Sequence, residues 1–121
     1  MIASKLVINH LMSDVGIVAL VSDRLFFRHA PEDTLYPLIN IMPVDDTPIN
    51  ALSGEADLKR ERIQVDVWAK TFKEAQAVAA GVVNSVDGAA TFSAVRQSSS
   101  SSFDDDPNLN RIIIDFSIWY K

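Results

Sequence analysis

The side chains of this sequence that could do chemistry fall into three sets. Carboxylates cluster at Asp45-Asp46 and at Asp104-Asp105-Asp106, and grouped carboxylates are what a calcium ion takes as ligands. A calcium loop alternates its ligands and turns on a glycine, however, and neither stretch does, so solvated acidic loops are the better reading. The two histidines, His10 and His29, lie far apart with no carboxylate at metal-ligand spacing; each is read as structural. Five consecutive serines, Ser98 to Ser102, lack the glycine pattern of a nucleophile elbow and have no evident base, so acyl-transfer chemistry is not indicated. Four scattered glycines do not make a phosphate-cradling loop. The absence of cysteine removes disulfides, zinc-thiolate sites and thiol nucleophiles. No catalytic residue, metal or cofactor is expected.

The elements that hold these residues centre on Arg60 to Val86. Ile63, Val65, Val67 and Ala69 share one parity while Arg62, Gln64, Asp66 and Trp68 take the other, the period of a strand with one buried face. At Thr71 the period changes. Ala75, Val78, Ala79, Val82, Val83 and Val86 recur at three- and four-residue steps, which predicts an amphipathic helix. Thr71 and Glu74 fit a capping box at its start. Gly88 is expected to end it in the left-handed conformation that glycine enters without cost. Arg111 to Tyr120 alternates again, with Ile112, Ile114, Phe116, Ile118 and Tyr120 inward and Arg111, Asp115, Ser117 and Trp119 outward.

Upstream, residues 2–20 read as two helices. The first carries Ile2, Ala3, Leu6, Val7 and Leu11 on one stripe, with Lys5, Asn9 and Ser4 opposite. The second starts at a cap formed by Ser13 or Asp14. Leu25 to Phe27 reads as a short strand, and Leu38 to Val44 as a central strand that Pro43 limits. Residues 45–58 and 98–108 read as flexible loops, so deletion of Ser98 to Ser102 is expected to spare folding. The predicted fold is one α+β domain over residues 1–121: an antiparallel sheet of four to five strands, helices packed on one face, a strand–helix unit at 58–87 and a closing strand at 110–120.

Composition narrows the function classes. An apolar fraction of 48% with 22% charged residues suits a globular chain large enough for one core. The net charge of −5 argues against a surface that wraps nucleic acid, which needs clustered Lys and Arg. It leaves open a protein that DNA merely passes through. The N-terminus has neither a charged leader nor a small-residue cleavage site, and is read as a structural helix, not a signal peptide. The longest apolar run, Val15 to Val21, is far short of the roughly 20 residues of a membrane span.

On the outward parity, Trp68 and Trp119 stand with Asp66 and Asp115. Either another part of the chain covers that face, or it is a subunit interface, where tryptophan is enriched. Lys59, Arg60 and Arg62 form a basic strand start: an edge guarded against aggregation, or a partner for a neighbouring subunit's acidic loop.

Several segments in order carry a family resemblance. After the N-terminal helix comes VSDRLFFRHAPEDTLYPLINI, then Arg62, Gln64, Asp66, Trp68, Ala69 and Thr71 in the pattern R-x-Q-x-D-x-W-A-x-T. An Ala-rich helix follows, and a closing strand ends Trp119-Tyr120-Lys121. Together these resemble the tail completion proteins of long-tailed phages and prophages, including tail terminators and head–tail joining proteins. The resemblance implies a non-enzymatic virion protein at the tail–head junction, in the host cytoplasm during assembly. It also implies a homo-oligomeric ring, commonly of six copies, that caps the tail tube and docks on the head connector. Asp45, Asp46, Ser98, Ser102, Asp104, Asp105 and Asp106 would then sit on loops toward partners or the ring lumen, where negative charge would repel passing DNA. The serine run is not a feature of that family. A head-closure or neck protein is the alternative within the class, and a small-molecule-binding α+β domain the alternative outside it.

Overall fold

Each period-two segment becomes a strand of one sheet. The computed structural model describes residues 2–47, 59–104 and 108–121. In chain order the elements are helices α1 (Ile2–Met12) and α2 (Val15–Val21), strands β1 (Leu25–Phe27), β2 (Leu38–Thr47) and β3 (Lys59–Ala69), helix α3 (Phe72–Asp87), and strands β4 (Ser93–Asp104) and β5 (Leu109–Tyr120). The sheet order is β1-β2-β3-β5-β4. All neighbours are antiparallel except β1 and β2, which run parallel, so the sheet is mixed and not wholly antiparallel. The expected α+β class and the helices on one face are otherwise as built.

The inward parity forms the core. Ile63, Val65, Val67 and Ala69 of β3 and Ile112, Ile114, Phe116, Ile118 and Tyr120 of β5 are buried with Ile39 and Ile41 of β2 in one cluster. Against them lie Ala3, Val7 and Leu11 of α1 and Ala75, Val78, Val82 and Val86 of α3. Each helix spaces those residues three or four apart, the spacing of one helix face. Ser4 departs from its expected outward place and is buried, while Ile2 is half exposed. The start of α1 is tied to the sheet by Glu61, whose buried Oε2 accepts a hydrogen bond from the Ala3 N–H. A carboxylate there satisfies a free N–H at the positive end of the helix.

The cap signals of the other helices meet their partners. Asp14 Oδ1 accepts from the Gly16 and Ile17 N–H groups at 2.9 and 3.2 Å. Thr71 Oγ1 accepts from Glu74 N–H at 3.2 Å. Gly88 is not left-handed: its φ is −93°, and its N–H closes a tight last turn onto Ser85 and Val86 carbonyls. Gly81 serves instead as a contact point, since a Cβ there would lie 3.1 Å from Ile17 Cδ1; its absence lets α2 sit close on α3. His10 is structural, donating from Nε2 to the Ser85 carbonyl at 2.8 Å and meeting the Phe92 ring edge-on.

The serine run corrects the flexible-loop expectation. Ser98 to Ser102 lie in β4, paired residue by residue with Asp115 to Arg111 after a bulge between Arg96 and Ser98. The β5 strand is interior and needs a ladder on both edges; β4 supplies the second one with side chains too small to oppose it. Deleting the five serines would remove part of that ladder and, five being odd, reverse the facing of the strand residues that follow, so their loss is not neutral to folding. Asp45 likewise belongs to β2, which continues past Pro43 through a bulge. The proline falls beyond Ile41, the last residue paired to β1. Of the expected acidic loops, Asp46 and Asp104 are strand residues by backbone; Asp105, Asp106 and most of 45–58 lie outside the described residues.

Candidate contact surface

The sheet face turned away from the helices carries the outward parity of every strand, and no described helix covers it. Two cross-strand pairs mark its ends. Trp68 of β3 stands opposite Arg111 of β5, and Arg60 of β3 opposite Trp119 of β5. In each, the guanidinium lies over the indole, 5.0 Å from the Trp68 ring and 5.7 Å from the Trp119 ring, within cation–π range. Eight residue steps along β3 separate the pairs, about 27 Å at strand rise.

Between them runs a polar network. Asp66, only 2% exposed, is ion-paired to Arg111 Nη2 through Oδ2 and accepts from Gln64 Nε2 through Oδ1 at 2.8 Å. Burial of that carboxylate is tolerable because it is both paired and hydrogen-bonded. Ser117, also buried, accepts from Arg60 Nη2 at 3.0 Å and Gln97 Nε2 at 3.2 Å. Asp115 accepts from Ser98 Oγ at 3.0 Å, so the first serine of the run belongs to this network. Arg62 approaches Asp45 at 3.7 Å, with both side chains more than a third exposed; such a pair contributes little.

The sequence-predicted residues thus separate. Trp68, Trp119, Arg60, Arg62, Asp66 and Asp115 share one face, together with Asp45 and Ser98. The sequence reading missed Gln64, Gln97 and Ser117 as network members; outward parity was the available signal for Gln64 and Ser117, whereas Gln97 sits in the bulge between Arg96 and Ser98. The β1–β2 connection lines an open groove of about 390 Å3 with Leu38, Asn40, Trp68 and Leu109, so one corner of the face is partly sheltered by the chain itself. His29 belongs to that rim. Among the described residues, no three His, Asp or Glu side chains are placed to hold a metal ion, and no single helix is long and apolar enough to cross a membrane.

Comparison with known proteins places this α+β subunit in the class of tail completion proteins. Residues 5–121 match the family described as "Tail completion protein gp17", and the chain belongs to that family. The fold is similar to a chain in the "Virion of native gene transfer agent (GTA) particle", with a TM-score of 0.70 at 17% identity over 93% of this chain and 90% of that one. It is also similar to the gp17 protein of bacteriophage SPP1, with a TM-score of 0.61 at 18% identity over 97% and 87%. No curated protein sequence matches it significantly. The chain is a tail completion protein.

Proposed function

We propose that the chain works without catalysis, as one subunit of a homo-oligomeric ring, of six copies by the family resemblance, that caps the tail tube and presents a docking surface to the head connector. The observation that carries this reading is the Trp119 end of the helix-free face. There a half-buried indole and Arg60 stand together, and Arg60 has no carboxylate partner among the described residues. Tryptophan and arginine are the residues that dominate protein interfaces, and burial against a neighbouring copy would give both a use. Asp45, Arg62, Trp68, Ser98, Ser102 and Asp115 form the remainder of that surface, and Asp66 is buried beneath it. Asp46, Asp104, Asp105 and Asp106 stay as proposed acidic contacts toward partners or the lumen.

The family description favours the tail side over a neck position. The open groove beside Trp68 differs from the enclosed apolar pocket that a small-molecule site needs, which supports contact over ligand binding. Light scattering coupled to size-exclusion chromatography, at rising protein concentration, with negative-stain images of any large species, tests the reading. Closed rings, free or on added tail tubes, are expected. A monomer at every concentration that also fails to bind tail tubes would overturn it.

A further inference from the structure

Helix α2, VGIVALV, has no polar side chain on any face. A helix that is apolar all round is normally buried all round. Here only Ile17 and Val21 are buried; Val15 is 84% exposed, and Val18 and Leu20 remain exposed beside it with Met12 from the end of α1. The side of α3 that receives α2 is the Gly81 side. On the other flank of α3, away from α2, an open groove of about 260 Å3 runs between the helix and β4. Its walls are Ala79, Ala80 and Val83 of α3, its floor is Ile112 and Ile114, and Arg96 of β4 is its one charged lining residue. The groove is smaller than the roughly 300–1,000 Å3 of ligand pockets, and its lining suits branched side chains from another protein element.

We infer that α2 of one copy seats in the α3–β4 groove of the next copy. Charge supports this occupant. Asp23, two residues beyond α2, and Arg96 on the groove rim are both exposed and have no ion-pair partner among the described residues. They would meet when the apolar surfaces do. Because knob and groove lie on opposite flanks of α3, the contact is head-to-tail and repeats from copy to copy, the kind of contact that closes into a ring. The inference rests on the ring reading and names a contact in the helix layer, distinct from the Trp–Arg face.

The test is disulfide trapping in the full chain, which has no cysteine of its own. Val18→Cys and Val83→Cys are oxidised separately and as an equimolar mixture, with light scattering in parallel. A covalent dimer from the mixture and not from either variant alone is expected, and a ladder of multimers from the double variant. Asp23→Arg or Arg96→Asp should each lower trapping about threefold, the size of one exposed ion pair, and the two exchanged together should restore it. Rings without trapping between 18 and 83 would overturn the α2 contact and leave the ring standing. A trapped ladder that never closes would keep the contact and remove the ring, and no association by either measure would overturn both. Binding to lipid vesicles that Val15→Asp abolishes, without trapping, would reassign α2 to a membrane surface and also overturn the inference.

Discussion

The two ends of the helix-free face are built from the same parts and do different things. Each sets a tryptophan against an arginine directly across β3 and β5. At the Trp68 end, Arg111 also reaches a buried carboxylate, so removal of the arginine leaves a charge stranded in the sheet. At the Trp119 end, Arg60 reaches only the neutral Ser117 hydroxyl, and its charge stays unneutralised by the described residues. The lesson is that cross-strand register alone does not assign a role. The second interaction of the arginine separates a pair that holds the fold from a pair held ready for a partner.

The largest expected effect follows from that difference. Arg111→Ala should cost about 3 kcal/mol of stability, because Asp66 would keep its burial and lose its ion pair. Urea unfolding would show it as a lower midpoint. The double variant Asp66→Asn with Arg111→Met should recover most of the loss, since it removes the stranded charge instead of creating one. If Arg111→Ala lies within about 0.5 kcal/mol of wild type, the range of an ordinary surface change, the two ends are equivalent and the comparison fails.

A second prediction clears an acid effect that lies off this face. The Ser85 hydroxyl, the Ile17 and Gly16 N–H groups and, more weakly, His10 hold the Asp14 carboxyl below its ordinary pKa. A depressed carboxylate stabilises the fold above its unfolded pKa of about 3.9, and that contribution fades as pH falls through the lower folded value. Asp14→Ala should cost about 1 kcal/mol near neutrality, as loss of an N-cap. Asp14→Asn keeps a capping oxygen without the titration, so the wild-type advantage in Tm over Asp14→Asn should shrink from pH 6 to pH 2.5. An advantage that stays constant in acid would remove Asp14 from the account and return acid sensitivity to the carboxylates of the sheet.

Much of this was legible in the sequence wherever one residue's neighbours in the chain are also its neighbours in space. The period of two in Ile63 to Ala69 and Ile112 to Tyr120 placed the core parity, and Thr71 and Asp14 marked helix starts. What escaped depended on distant partners. The five serines form a strand because interior β5 needs a second edge, a demand that is nowhere in their own composition. Glu61 continues the inward parity of β3, yet its purpose is the start of a helix 58 residues away. Gly88 ends its helix without positive φ, so a stop signal was sound where its conformational reason was not. On the candidate surface, parity grouped the tryptophans and aspartates correctly. It could not say that Asp66 would be buried and Asp115 partly exposed, because that depends on what lies across the strand.

The smallest effects on folding should be the most informative about assembly. Arg60→Ala and Trp119→Ala each remove a cation–π pair at a half-exposed site and should cost about 1 kcal/mol or less of subunit stability. Neither leaves a buried charge behind. If the Trp119 end is the one a neighbouring copy covers, both should nonetheless weaken association measured by light scattering, and by more than Trp68→Ala does. Trp68→Ala should instead lower the unfolding midpoint, since it strips the cover from Arg111 and Asp66. The readouts are independent, so the pattern can fail in either direction. Equal losses of association at the two tryptophans would make the whole helix-free face the interface. Loss at Trp68 alone would reverse the roles, placing the contact beside the β1–β2 connection and leaving Arg60 a solvated cation on the far end of the strand.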